Sequence, residues 1–459
     1  MRRSRIASLL IISAMIAGIT ACTGAGTASP PSDDPIDASG AFDWKRFDGQ
    51  SITVMLNEHP WTDGVEQSLD EFINATGIDV NLETYAEDLY FDKMNQALRT
   101  QTPPDVVMTG FDYSVSTQQA AGLLEPLDSY LESASLTENQ YDLADFPDGV
   151  LAPARLPAGQ PDALLYGIPI ATETYILFYS KDLVDQYLGG QVPATVDDLV
   201  AASQKITDDA AGSVYGSVVR GVRSSAIVDI PTAFVINRLA NPAQANLPYN
   251  VWFDAAWDAP IMTSDPVVQG LKDYADLLAA GPPNRFNIDW PDANALFSQG
   301  KIAFYVDASV FGPSFEDPAS STIAGQVGYA PLPTGSPEGA SGLWSWGLSV
   351  CAQSDNKGAA WLFTQWFSNK ENTAALGALT GGPPRSSSTS LPVYRDALKA
   401  EYVDAVAESM STALPTAVVA ADIEPALMVI VDAVIAMANG QDPTDAAEAA
   451  QEAMIALDL

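Results

Sequence analysis

The chain has 459 residues, of which 47% are hydrophobic, and its 58 Asp and Glu against 21 Lys and Arg give a formal net charge of −37. Such an acidic chain argues against nucleic-acid binding, which needs a basic surface, and against binding of the protein body to anionic lipid head groups. Its single histidine, His59, excludes a metal site or a catalytic pair that needs two histidines.

The amino-terminal segment is typical of a bacterial export signal. Arg2, Arg3 and Arg5 precede an apolar run that ends in small residues before Cys22. The run is too short for a comfortable membrane span, and a Cys at this point resembles a lipoprotein box. We predict a signal peptide at residues 1–21 and an extracytoplasmic protein anchored to the cell membrane by lipid, such as palmitate, on Cys22. An ordinary secretory signal with a chance Cys is the alternative.

The segment after Cys22 has the composition of a tether. Residues 23–40 are rich in Ser, Pro, Ala, Gly and Asp, which bury too little surface to fold. We therefore predict a flexible tether at residues 22–48. With Cys22 lipidated, Cys351 has no partner for an intrachain disulfide, so the stability of the body must come from burial.

The body begins with alternating strand and helix patterns. Residues 52–56, 78–85 and 105–108 have the short apolar or alternating patterns of strands. Residues 65–73 place apolar side chains at i, i+4, i+7 and i+8, as a helix does, and a second helical stretch at 89–100 ends before two prolines. This order predicts an α/β fold with a parallel, doubly wound sheet.

A second region of the same α/β type comes next along the chain. Strands are predicted at 175–179, 302–306, 327–331 and 348–352, with helical stretches between them. From residue 358 onward the chain is rich in Ala and mostly helical. The hydrophobic content is sufficient for two or more cores.

Two loops follow the ends of predicted strands, where ligands bind in doubly wound sheets. The first loop supplies Asn57, Glu58, His59 and Trp61, and the second supplies Asp112. We predict these five residues as ligand-binding residues, because they are suited to a molecule that is polar and partly apolar. Shaping of the loop before Pro60 is the alternative role of the histidine.

Aromatic and charged residues farther along the chain suit the binding of a molecule that carries both polar groups and apolar C–H faces. Carboxylates make paired hydrogen bonds to hydroxyls, and aromatic rings cover the C–H faces. Trp344 and Trp346 are two apart on a strand, so both rings face one side, although core packing is the alternative. Trp290 precedes the helix that leads to the strand at 302–306, and Asp307 ends that strand, where it could instead cap the next segment of the chain.

Arg385 follows Gly381-Gly382-Pro383-Pro384, a stiff run of turn-forming residues that would aim its guanidinium group. This stiff approach makes Arg385 a candidate side chain for holding a ligand. A salt bridge with one of the many acidic residues is the alternative.

Nine short segments carry a family resemblance through their order and spacing. They are FINATGIDV at 72–80, PDVV at 104–107, AGLLEPL at 121–127, LYGIP at 165–169, FYSKDL at 178–183, FSQGKIAF at 297–304, YAPLP at 329–333, WSWGLSV at 344–350 and GGPPR at 381–385. Together they resemble the family 1 extracellular solute-binding proteins, the maltose-binding-protein-like receptors of carbohydrate ABC importers. The resemblance implies ligand contacts at Glu173 and Arg385.

The resemblance also implies a two-lobe clamp of the periplasmic-binding-protein type, with discontinuous lobes and a multi-strand hinge. We place the hinge crossings near residues 167–171, 302–307 and 346–351. The resulting boundaries are residues 49–170 and 303–348 for the amino-terminal lobe and residues 171–302 and 349–459 for the carboxy-terminal lobe.

The expected function is capture of a sugar, oligosaccharide or polyol between two lobes and its delivery to the permease subunits of an ABC importer. We expect a monomer that uses no cofactor or metal and performs no covalent chemistry. A surface-anchored glycoside hydrolase is one alternative, since two carboxylates facing a sugar look alike in sequence, but no nucleophile elbow, HExxH or P-loop motif occurs. A receptor of the same fold for a cationic solute such as a polyamine is the other alternative, and the net charge favours a cation.

Overall fold

The computed structural model describes residues 40–111, 113–240, 251–254, 259–337, 339–416 and 423–457. The predicted signal peptide, Cys22, most of the tether and Asp112 lie outside the described residues. No helix in these ranges is both long enough and apolar enough to cross a bilayer.

The described elements alternate between strand and helix along most of the chain. The strands are β1 Ser51–Asn57, β2 Asp79–Tyr85, β3 Val106–Gly110, β4 Arg155–Leu156, β5 Leu164–Leu165, β6 Ile168–Ser180, β7 Tyr215–Val218, β8 Ile302–Ala308, β9 Val327–Pro331, β10 Gly342–Val350 and β11 Leu414–Pro415. The helices are α1 Pro60–Thr76, α2 Glu87–Ala97, α3 Tyr113–Ala120, α4 Asp128–Glu132, α5 Asp148–Leu151, α6 Lys181–Leu188, α7 Val196–Ala210, α8 Asp229–Arg238, α9 Asp265–Ala279, α10 Trp290–Ser298, α11 Lys357–Ser368, α12 Lys370–Thr380, α13 Pro392–Arg395, α14 Ala400–Thr412, α15 Glu424–Ala438 and α16 Pro443–Ile455. Short 3-10 turns include Ser225–Ile227 and Ser309–Glu316.

One mixed sheet runs through the body in the order β2-β1-β3-β10-β6-β8-β7, with β9 also paired to β6 and β11 to β10. Strands β1, β2 and β3 are parallel, which confirms the prediction from the strand and helix order at the start of the body. At the centre, β6 and β10 are antiparallel and pair Leu343 to Leu348 of β10 with Ile168 to Thr174 of β6. These two central strands therefore join the two halves of the sheet.

The buried side chains form two separate cores on either side of these central strands. The first contains buried side chains from residues 52–171 and 346–376, and we call this part the amino-terminal lobe. The second contains buried side chains from residues 175–340 and 394–454, and we call this part the carboxy-terminal lobe. Strands β6 and β10 contribute to both cores, so each of them passes from one lobe to the other.

The cores correct two of the predicted lobe segments. Strand β8 was predicted as a hinge crossing at 302–307, but its buried side chains lie wholly in the core of the carboxy-terminal lobe. Most of the segment 303–348 therefore belongs to that lobe, while 349–376 packs in the amino-terminal lobe. A mainly apolar strand buried on both faces has the same sequence pattern as a hinge strand, which explains the error.

The third crossing lies instead in the segment that contains the GGPPR run. The Thr172 backbone N–H of β6 donates to the Gly382 carbonyl at 2.9 Å. A Cβ at Gly382 would lie 2.2 Å from the Thr172 carbonyl oxygen, so only glycine allows this close approach. The chain then enters the carboxy-terminal lobe, where Tyr394 is buried.

The folded body begins earlier in the chain than predicted, so the tether ends before residue 48. Phe42, Trp44 and Phe47 pack against the core of the amino-terminal lobe. The Trp44 ring contacts the Trp366 ring edge to face at 5.1 Å between centroids. Residues 42–47 therefore belong to the folded body, because three aromatic side chains bury enough surface to hold them there.

Candidate ligand-binding site

A cavity of about 310 Å³ lies between the two lobes beside β6 and β10. This volume is at the lower end of the range for small-molecule pockets in proteins. The amino-terminal lobe lines it with residues of α1 and α2, and the carboxy-terminal lobe lines it with residues of α8, α10, α15 and the loop after β7. A ligand in this cavity would be enclosed by both lobes.

The floor of the cavity is built on the two central strands. Glu173 of β6 and Trp344 of β10 are directly opposite in the antiparallel register, and Trp346 is two residues farther along β10. The three side chains therefore share one face of the sheet. The Trp346 indole Nε1–H donates to Glu173 Oε1 at 2.8 Å, which fixes the carboxylate against the floor.

His59 holds the same carboxylate from the amino-terminal lobe. It is the N-cap of α1, where Pro60 occupies the first turn, and its Nδ1 accepts the Trp61 backbone N–H at 3.0 Å. The ring proton is therefore on Nε2, which donates to Glu173 Oε1 at 2.9 Å. Glu173 Oε2 has no hydrogen-bond partner among the described residues and is left to accept from a ligand.

Two pairs of stacked aromatic rings form flat apolar walls. Trp346 stacks on Phe91 of α2, with the ring centroids 6.0 Å apart and the planes 19° apart. Trp290 stacks on Phe311 at 5.2 Å and 13°. The Trp344 Nε1–H is buried and has no hydrogen-bond partner in the described parts of the chain. The walls can cover C–H faces of a ligand while this indole donates to one of its oxygens.

A hydrogen bond between described residues connects the lobes at the cavity. The Trp290 Nε1–H of α10 donates to Glu87 Oε2 of α2 at 2.7 Å. Burial raises the pKa of Glu87, and the charges of Glu173 and Asp289 raise it further, while Arg220 and the bond from Trp290 oppose the rise. The two lobes thus hold this carboxyl in a desolvated environment where most of the neighbouring charges are negative.

Arg220 supplies a positive charge to the carboxy-terminal wall. Its Nε donates to Asp307 Oδ2 at 3.0 Å and its Nη2 to Asp307 Oδ1 at 2.7 Å, and both side chains are buried. Asp307 also accepts from the Tyr305 hydroxyl at 2.8 Å. Nη1 of Arg220 has no partner among the described residues, so it is available to donate to a ligand. Asp307 does not line the cavity and holds the guanidinium instead.

Asp229 lies beside Arg220 on the same wall. One carboxyl oxygen accepts from the buried Tyr175 hydroxyl, and the other is buried with no hydrogen-bond partner in the described residues. Burial raises the pKa of Asp229 to about 7 against the opposing effect of Arg220. Near neutral pH, this carboxyl is therefore able either to accept a hydrogen bond or to donate one.

Five of the residues predicted from the sequence line the cavity, and they are His59, Glu173, Trp290, Trp344 and Trp346. The other residues of the first loop do not. Asn57 and Trp61 are buried in the amino-terminal lobe, where the Trp61 ring contacts Phe367, and Glu58 is exposed away from the cavity. The side chains of this loop diverge because β1 ends and α1 begins within three residues.

Arg385 also lies away from the cavity, which corrects its predicted contact with the ligand. Its Nε donates to the Ser368 carbonyl at 2.7 Å and its Nη1 to the Asp142 carbonyl at 2.8 Å. The guanidinium lies 4.0 Å from the centroid of the Phe146 ring. These contacts, with a longer one to Asp145, bury it completely in the amino-terminal lobe. Arg385 thus fastens the third crossing to that lobe.

Several cavity residues were missed by the sequence reasoning. They are Glu87, Phe91, Arg220, Asp229, Asp289 and Phe311. Asp289 could have been predicted from the sequence, because an Asp directly before Trp290-Pro291 is a typical helix N-cap. In the structure its Oδ1 accepts the Trp290 backbone N–H at 2.8 Å. The others come from elements distant in sequence and carry no local signal.

The cavity is not arranged as a metal centre. Within the described residues, no group of three or more His, Cys, Asp or Glu side chains is placed to hold a metal ion. The cavity instead combines hydrogen-bonding groups with aromatic faces, as expected for a small organic molecule.

Comparison with known proteins gives consistent results. The profile of the family described as bacterial extracellular solute-binding protein matches residues 60–374. The erythritol/L-threitol-binding protein of Mycolicibacterium smegmatis is 29% identical over 399 residues, which cover 84% of this chain and 81% of that protein.

Two solved structures share the fold. An ABC transporter solute-binding protein of Agrobacterium radiobacter K84 in complex with ribitol has a TM-score of 0.75 at 24% identity, and the match covers 89% of this chain and 99% of that one. A solute-binding protein of Agrobacterium vitis S4 with bound D-mannitol has a TM-score of 0.73 at 25% identity, with 89% and 98% covered. The two-lobe architecture expected from the resemblance is thereby confirmed.

Proposed function

The chain belongs to the bacterial extracellular solute-binding proteins, and we propose that it captures a short linear polyol between its lobes and delivers it to an ABC importer. Members of this family bind solutes outside the cytoplasm, so the chain is an extracytoplasmic binding protein and not an enzyme.

The observation that carries the proposal is the mixture of free donors and free acceptors in one cavity. Trp344 Nε1 and Arg220 Nη1 are free to donate, while Glu173 Oε2 and the second oxygen of Asp229 are free to accept, counting partners among the described residues. A hydroxyl does both, so a chain of hydroxyls can satisfy all four groups. A polyamine offers only donors and would leave the indole and the guanidinium unsatisfied.

The size of the cavity and two of the similar proteins support a polyol over an oligosaccharide. About 310 Å³ is enough for a chain of a few carbons but small for several sugar rings. The relative from M. smegmatis is named for erythritol and L-threitol, and the A. vitis structure contains D-mannitol. These ligands are all linear alditols.

A panel of ligands tests the proposal. The body of the protein should be stabilised against heat by erythritol, L-threitol, ribitol or D-mannitol, because a ligand at 100 times its Kd adds about 2.7 kcal/mol to the free energy of unfolding. Maltose, maltotriose, putrescine and spermidine should leave the melting temperature unchanged. Differential scanning calorimetry measures the shifts, and isothermal titration gives the Kd.

A response to the amines or to the maltodextrins, with none to any alditol, would contradict the proposal. Chromatography of the released ligand provides a control for the enzyme alternative. The alditol should be recovered unchanged after prolonged incubation with the protein.

We also propose that lipid on Cys22 anchors the protein to the cell membrane, next to the importer that receives the ligand. The basic residues, the short apolar run and the position of the Cys support this anchor. Replacing Cys22 by Ser should move the protein from the membrane fraction to the soluble fraction of the host cells. Membrane association that survives the replacement would contradict lipid anchoring.

A further inference from the structure

The cavity contains many more negative than positive groups. Carboxyl groups of six residues line it, and they are Glu87, Asp92, Glu173, Asp229, Asp289 and Glu424. The guanidinium of Arg220 is the single Lys or Arg group among the lining residues, and buried Asp307 already neutralises it. An uncharged polyol needs acceptors but does not need this excess of negative charge.

Two of the carboxyl groups show that the protein does not compensate the excess of negative groups in the cavity. Burial raises the pKa of both Glu87 and Asp229, and Glu173 raises both further. A positive charge on the ligand would stabilise their ionised forms and lower these pKa values. The protein therefore leaves a place for a cation in an otherwise hydroxyl-binding cavity.

The surroundings of Trp290 are where that positive charge fits best. Asp289 Oδ1 accepts the backbone N–H of Trp290, and Glu87 Oε2 accepts its indole N–H. The other oxygen of each carboxyl has no hydrogen-bond partner in the described parts of the chain. Two free carboxyl oxygens beside an indole stacked on Phe311 are groups that attract an ammonium.

We propose that the cavity takes amino polyols, alditols in which one terminal hydroxyl is replaced by an ammonium group, in preference to the parent alditols, and that it excludes the corresponding aldonates. The inference rests on the proposed polyol function, because the remaining hydroxyls still satisfy Trp344 and Arg220. The ammonium lies between the Glu87 and Asp289 carboxyl groups, beside Trp290.

A series of ligands that differ only in charge tests this preference. At six carbons the series is D-glucitol, D-glucamine and D-gluconate, and at four carbons it is L-threitol, 1-amino-1-deoxy-L-threitol and L-threonate. Isothermal titration at neutral pH and physiological salt should show the amine binding about tenfold tighter than the alditol and the aldonate about tenfold weaker, at whichever chain length binds better.

The Asp289→Asn variant tests the position of the charge. Asn remains a good N-cap for α10 while removing one negative charge. The ratio of amine affinity to alditol affinity should fall several-fold. Asp442→Asn is the matched control, because Asp442 is the N-cap of α16, is exposed and does not line the cavity, and its ratio should equal that of the unmodified protein. If the first variant does not fold, Glu87→Gln replaces it, since a Gln carbonyl oxygen can still accept the Trp290 indole N–H while one negative charge is removed.

The outcomes separate the inference from the function on which it rests. Binding of the alditol with equal or weaker binding of the amine overturns the inference and leaves the polyol function intact. Binding of the amine without any binding of the alditol overturns the polyol function and, with it, the inference in its present form. A protein that binds none of the six compounds overturns both.

Discussion

Replacing Glu173 with Gln is expected to weaken polyol binding by about 100-fold, because charge-assisted hydrogen bonds contribute about 1.5–3 kcal/mol each. The Gln carbonyl oxygen can still accept from His59 and Trp346, as Glu173 Oε1 does. The amide nitrogen then replaces the oxygen that faces the ligand, so an acceptor becomes a donor. Titration with the alditol that binds best in the panel measures the change.

Glu125→Gln is a matched control for this variant. Glu125 is a partly buried carboxylate that accepts from Tyr130 at 3.1 Å and from Lys357 at 2.9 Å, and it does not line the cavity. Its replacement should leave the alditol Kd unchanged, although it also removes a carboxylate charge that the protein itself satisfies. If Glu173→Gln binds the alditol as well as this control does, the floor of the cavity is not the polyol site.

Local sequence patterns predicted the start of the fold well but assigned strand β8 wrongly to the hinge. The alternation in β1, β2 and β3 and the helical spacing in α1 are local properties, so the parallel sheet could be predicted. Strand β8 is buried on both faces within one lobe. A strand that connects two lobes is buried in the same way, so its pattern could not reveal which core it joins.

The difference between local patterns and distant partners also explains which residues of the candidate site could be predicted. His59 follows a strand end and Trp346 alternates with Trp344 on a central strand, which are features that a sequence displays, whereas Glu173 was predicted from the family resemblance. Asp307 and Arg385 have equally suggestive positions, but partners elsewhere in the chain saturate them. Asp307 and its partner Arg220 are 87 residues apart, and nothing in the sequence links them. From sequence alone, a charged residue whose intramolecular partner is unknown is therefore easily predicted to contact the ligand.

Replacing Asp307 with Ala is expected to lower the free energy of unfolding by about 3–5 kcal/mol, because it leaves the buried guanidinium of Arg220 without its partner. Urea unfolding followed by circular dichroism measures the loss. Asp432→Ala is the control, because Asp432 pairs with Arg223 in the same bidentate geometry, at 2.7 and 2.9 Å, but on the exposed surface. The free energy of unfolding of that variant should fall by less than about 1 kcal/mol.

The double variant Arg220→Met with Asp307→Val separates stability from binding. Apolar replacement of a buried ion pair is often neutral for stability, so most of the loss in Asp307→Ala should be recovered. Polyol affinity should stay at least about tenfold below that of the unmodified protein, since the donor at Arg220 Nη1 is gone. Recovery of both properties would mean that Arg220 supports the wall of the cavity without touching the ligand. Recovery of stability alone would mean that Arg220 contacts the ligand and that Asp307 holds Arg220 in place.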